Sequence, residues 1–224
     1  MRHATTLGGL ALITLLADGP SVAAAAQTVT GSPAKEEVPK ALADAGEYGE
    51  NLYDYAKAND WKHAEARLVA LGTAVGRVRS EAGVSGIAVD RLGRTRAALN
   101  HSVARKHRLM TMREANQVTL DVADLTAAYK LSVPVEVTRL DYYGRELEIW
   151  AEVGTMARLK ATASGMRHEW NAVRSRVKGK NRAEAEKCEA LVGRTERART
   201  PKEYAPLASL VLDEVDHLES VFES

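Results

Sequence analysis

WKHAEARLVALGTAVGRV, residues 61–78, places Trp61, Ala64, Leu68, Leu71, Val75 and Val78 at alternating spacings of three and four. That spacing lines one face of an α-helix and is the coiled-coil-like seam of a helical bundle. A second stretch, residues 156–177, repeats the pattern with Met156, Leu159, Ala163, Met166, Trp170, Val173 and Val177. Strand signals are missing from Lys35 onward: the chain has one Phe, no long β-branched alternation and no Asn-Gly hairpin turn. The fold expected is all-α.

The two seams lie 95 positions apart, and other residues keep the same offset. Tyr48-Gly49 aligns with Tyr143-Gly144, Leu52 with Leu147, Ala56 with Ala151, Ala66 with Ala161, and Val78-Arg79-Ser80 with Val173-Arg174-Ser175. Downstream, at an offset of 93, Val122, Leu125 and Tyr129 fall opposite Val215, Leu218 and Phe222. The pattern predicts an internal duplication: two related up-and-down four-helix bundle units, over 35–132 and 133–224, with the boundary at Ser132-Val133-Pro134.

Breaks in the apolar register divide each half. The phase slips at Asn59-Asp60 and at Gly154-Thr155, where Asn, Asp and Thr suit helix N-caps and Gly suits a helix end. Gly83 to Gly86 and Ser102 to Lys106 break the first half, with a helix expected from Leu109 to Leu131. Lys178 to Asn181 breaks the second, and Thr200-Pro201 opens the last helix with Pro at its first position. Eight helices result.

Residues 1–26 read as a cleaved signal peptide. Arg2 and His3 give a positive start, Thr5 to Ala17 an apolar core too short to span a bilayer, and Ala23 to Ala26 small residues for cleavage before Gln27. Residues 27–34 read as a flexible lead-in. About 198 residues would remain, exported, soluble after cleavage and expected in the periplasm. Apolar residues make up 45% of the chain and charged residues 27%, enough for a packed core. With a net charge of +1 and export, a nucleic-acid partner is not expected, whereas an envelope protein is a candidate partner. Cys188 is the single cysteine, so no internal disulfide can form, and it reads as a small buried helix residue.

Metal sites in helical bundles use inward-facing side chains. Glu214 and His217 form a Glu-x-x-His, which sets two ligands on one helix face, and Asp60 with His63 is an acidic analogue. His107 and Met110 share a face and offer copper-type ligands, with His101 upstream and Met112 pointing elsewhere. Met110 also fits a core position beside Leu109, Val118 and Leu125. His168 and Met166 are haem-ligand types but lie two apart, so one haem cannot take both. No resident cofactor is expected; haem, iron and copper are the alternatives.

No nucleophile elbow and no phosphate-binding loop are present, so catalysis is not expected. Gly72 and Gly76 suggest close helix packing. Arg91, Arg94, Arg96, Arg105, Lys106 and Arg108 stud the third and fourth helices, and Arg174, Arg176, Lys178, Lys180 and Arg182 the turn after the sixth. These suit an acidic partner or solvated helix faces. Tyr53, Tyr55, Trp61, Tyr142, Tyr143, Trp150 and Trp170 suit core packing or a stacking groove.

Two resemblances follow from these stretches. Tyr53 to Leu68 resembles one tetratricopeptide helical hairpin without that family's period. A duplicated pair of helical bundles in an exported protein is similar in outline to imelysin-type iron-uptake proteins, but the His-x-x-Glu pattern is absent and no site carries over. The function expected is an exported, non-enzymatic helical binding or accessory protein of the envelope. The alternative is a metal- or haem-binding bundle.

Overall fold

Capping chemistry marks several of the helix boundaries in the computed structural model, which describes residues 37–81 and 86–223. The proposed signal peptide and lead-in lie outside the described residues. Eight helices follow one another: α1 (Lys40–Lys57), α2 (Trp61–Glu81), α3 (Ile87–Ala104), α4 (Arg108–Thr126), α5 (Val135–Val153), α6 (Met156–Lys180), α7 (Arg182–Arg197) and α8 (Pro201–Glu223). No β-strand occurs among the described residues. No described helix is long and apolar enough to cross a membrane.

Both register slips are tight turns. Asn59 takes a left-handed φ of 59°, and Asp60 then accepts the His63 backbone N–H at 3.2 Å to cap α2. Gly154, at φ 79°, closes α5, a conformation that favours glycine. Asn181 accepts the Glu184 N–H at the start of α7. At α8, Glu203 accepts the Arg199 N–H at 2.8 Å while Thr200 faces the Glu203 N–H, a side-chain cap that resembles a capping box moved one residue outward. One boundary differs from expectation: α4 stops at Thr126 rather than Leu131. The Thr126 hydroxyl donates back to the Ala123 carbonyl, and Tyr129 enters the core from a non-helical position.

Helix α1 packs against α2 and α4, and α3 packs against α2 and α4. In the second half α5 packs against α6 and α8, and α7 against the same two; α4 meets α5 between the halves. The buried faces repeat at the offsets read from the sequence. Leu42, Ala45, Gly49 and Leu52 of α1 stand 95 residues before Val137, Leu140, Gly144 and Leu147 of α5. Thr111, Ala115, Val118, Val122 and Leu125 of α4 stand 93 before Tyr204, Ala208, Val211, Val215 and Leu218 of α8.

A side chain is excluded at one matching place in each half. A Cβ at Gly49 would lie 2.9 Å from Val118 Cγ1, and one at Gly144 would lie 3.1 Å from Val211 Cγ1 and 2.7 Å from Leu212 Cδ2. These glycines let α1 approach α4 and α5 approach α8. Gly76, read as a packing glycine, faces nothing within 4 Å, and the atoms nearest Gly72 belong to the Arg96 side chain. Two apolar cores result; Ile149 of α5 is buried in the first, and Trp150 touches both.

Candidate functional site

A cleft of about 530 Å³ opens where α3, α4, α5 and α6 converge. Each helix contributes side chains at helical spacing. Arg91, Arg94, Thr95 and Ala98 come from one face of α3, Arg113, Glu114 and Gln117 from α4, Tyr142, Glu146 and Trp150 from successive turns of α5, and Arg158 from the start of α6.

The floor is held by a buried carboxylate. Asp121, fully buried, accepts Arg91 Nε at 2.6 Å, the Thr95 hydroxyl at 2.6 Å and Gln117 Nε2 at 2.9 Å. Arg91 also binds Asp124, which in turn accepts Arg139 at 2.9 Å. Arg91 is thereby neutralised in place. On α5, the Trp150 indole N–H donates to Glu146 Oε2 at 2.6 Å, and Asn116 Nδ2 donates to Glu146 Oε1 and to the Tyr142 carbonyl at 3.1 and 3.0 Å. Burial pushes the Glu146 carboxyl above its usual range, against those two hydrogen bonds. Arg158 stacks over Trp150 with its Cζ 5.3 Å from the ring centre. Glu114 is held by the Ser102 hydroxyl.

Arg94, Arg113 and Arg158 are exposed and form no ion pair among the described residues. The cleft therefore presents three guanidiniums without an ion-pair partner beside two aromatic rings, with the Glu146 carboxylate near enough to feel Arg113 and Arg158. Such a set binds carboxylate or phosphate oxygens and stacks flat groups.

A second group lies between α7 and α8. Oxygens of Glu184 and Glu214 and a ring nitrogen of His217 all fall within 4.8 Å of one another, the one such His, Cys, Asp or Glu group among the described residues. His217 Nδ1 is 3.8 Å from Glu184 Oε1 and 4.0 Å from Glu214 Oε2. The carboxylates are inside, at 10% and 12% exposure, and the imidazole is on the rim at 64%. Burial, then the neighbouring Glu184, pushes Glu214 up to about 7. Lys187 Nζ sits 3.1 Å from Glu184 Oε2, and Glu214 Oε1 is buried without a hydrogen-bond partner among the described residues. This set is chemically able to hold a divalent first-row metal ion. Glu184 carries no sequence signal of this grouping: it stands at the start of another helix, thirty residues before Glu214.

The other sequence candidates take structural places. His107 caps α4, its Nδ1 accepting the Met110 N–H at 3.3 Å. Met110 is half-buried, and Met112 rather than Met110 is the core methionine, with Arg108 Nη1 against its sulfur. Asp60 and His63 bond to each other at 2.6 Å within the cap of α2, and His63 holds the Asp60 carboxyl below its usual range. Met166 is buried while His168 is exposed, and Cys188 is buried. Trp170 is fully buried, its indole donating to Glu189, and Trp61 packs on the first core.

No family model matches this chain, and no curated protein or solved structure matches it either.

Proposed function

We propose that this chain is an exported, non-enzymatic helical binding or accessory protein of the cell envelope, built by duplication of a four-helix unit, and that it works through the cleft among α3–α6. The observation that carries the reading is the cleft itself, a built concavity with three unpaired guanidiniums and two rings. Export rests on residues 1–26, a short basic start followed by an apolar run and small residues. Supporting the duplication are the buried faces that recur at offsets of 95 and 93, and the Gly49–Val118 and Gly144–Val211 approaches at matching places.

A thermal-shift screen of metabolite fractions from the organism's own cells tests this reading. At least one fraction raises the melting temperature of the wild-type chain and leaves an Arg94→Glu/Arg113→Glu variant unmoved. Fractions that stabilise both chains equally, or none at all, contradict it.

One observation favours a second reading, a metal-binding bundle. Ninety-three residues before Glu184, Glu214 and His217 stand Arg91, Asp121 and Asp124. There the guanidinium of Arg91 bridges the two acids as a resident cation. In the second half a carboxylate, Glu184, takes the guanidinium's place, so the group lacks that internal cation and keeps only Lys187 at its edge. Elemental analysis tests this: about one transition-metal ion per chain, lost in Glu214→Gln/His217→Ala, supports the second reading. Metal-free protein after incubation with zinc, manganese or iron salts excludes it.

A further inference from the structure

The geometry points to a ligand class for the cleft: a small organic anion, a carboxylate or phosphate ester, carried on a flat apolar ring body. This rests on the cleft being the working surface proposed above.

Charge supplies the first argument. Arg91 is saturated by Asp121 and Asp124, and Glu114 and Glu146 are engaged by Ser102, Trp150 and Asn116. Arg94, Arg113 and Arg158, on three different helices, outnumber the lining carboxylates Glu114 and Glu146 and bond to neither, although Glu146 attracts Arg113 and Arg158. Like charges collected around one concavity repel, and an anion binding there relieves the repulsion while gaining charge-assisted hydrogen bonds.

The ring body follows from how Trp150 is committed. Its only polar atom is spent on Glu146 and Arg158 lies over its ring, so what the indole adds to the cleft beyond that guanidinium is apolar surface. Tyr142 stands two turns earlier on the same face of α5. A volume of about 530 Å³ suits one small molecule.

Comparison of the two halves shows that the basic lining is local. At the offsets of 93 and 95, the counterparts of Arg91, Arg94, Arg113 and Arg158 are Glu184, Lys187, Pro206 and His63. Only one of the four is a permanent cation. The guanidiniums therefore belong to this cleft and are no general property of the repeated helices.

Titration of the full chain with 1-naphthyl phosphate, inorganic phosphate and 1-naphthol tests the inference, read by calorimetry and by the indole N–H resonances of Trp61, Trp150 and Trp170. Naphthyl phosphate should shift the Trp150 resonance and bind about tenfold or more tighter than either fragment. Arg94→Gln/Arg113→Gln should weaken it about tenfold or more without changing the melting temperature, since both side chains are exposed and unpaired. If 1-naphthol binds at Trp150 as tightly as its phosphate, or the variant binds unchanged, the anion class is wrong while the cleft stands. If no probe moves Trp150, this inference falls, and the metabolite screen decides separately whether the cleft reading falls with it.

Discussion

Tyr53 and Glu148 stand 95 residues apart, the spacing that relates the buried faces of α1 and α5, and they bond directly: the Tyr53 hydroxyl donates to Glu148 Oε2 at 2.8 Å. Lys57 Nζ holds the other oxygen at 2.7 Å, and the Arg145 guanidinium lies 5.1 Å from the Tyr53 ring centre. Two positions related by the 95-residue offset thus bond to each other directly, from α1 to α5. The phenol is buried, so its proton has one partner to serve. Tyr53→Phe should lower the free energy of unfolding by roughly 1.5–3 kcal/mol, the loss of one hydrogen bond to a charged group. Urea denaturation checks this, and an unchanged midpoint would show that the bond contributes nothing.

The glycines separate two kinds of site. Gly49→Ala and Gly144→Ala each force a methyl into a valine or leucine of the facing helix and should cost about 1–3 kcal/mol. Gly76→Ala meets open space within α2 and should stabilise by up to about 1 kcal/mol. Thermal melts of the three variants give opposite signs on this account.

Buried carboxyls make stability depend on pH in a definite direction. Burial pushes Glu50 up to about 7, opposed by Arg145, and Glu214 is raised to a similar value. Their unfolded pKa values lie near 4.5, so between about pH 4.5 and 7 the folded chain binds more protons than the unfolded one. The stabilising contribution of the neutral forms is full below that window and is lost as pH rises through 7. The melting temperature should fall by several degrees from pH 5 to pH 8, and Glu50→Gln should flatten the slope. A melting temperature that rises over this range contradicts the assignment.

How much of this could be read from the chain alone depends on the range of the interaction. The seams at Trp61–Val78 and Met156–Val177, the turns at Asn59-Asp60 and Gly154-Thr155, and the offsets of 95 and 93 are local or periodic, and all are legible. The cleft is not. Arg91 and Arg94 are visible as a basic run, but Arg96 in the same run lies outside the cleft lining, and Arg113 and Arg158 join only when α4 and α6 are brought alongside. Trp150 reads as core, and it packs on both cores, yet it also lines the cleft. Glu214 and His217 are legible as a pair at helical spacing; Glu184 becomes their neighbour only through the packing of α7 on α8.

Cys188 offers a check on the second core. Burial pushes its thiol well above the usual range, so the nucleophilic thiolate is scarce at neutral pH. Reaction with a disulfide reagent should be negligible in the native chain and rapid in denaturant. Prompt native labelling would mean that α7 opens readily from the core.

The central claim, that the cleft among α3–α6 is where this protein binds, is tested most directly by native mass spectrometry of the chain recovered from its own cells. The account predicts a bound small molecule that leaves on denaturation and is missing from Arg94→Glu/Arg113→Glu protein recovered in the same way. A wild-type chain that carries nothing, or an adduct that survives in the variant, would contradict it.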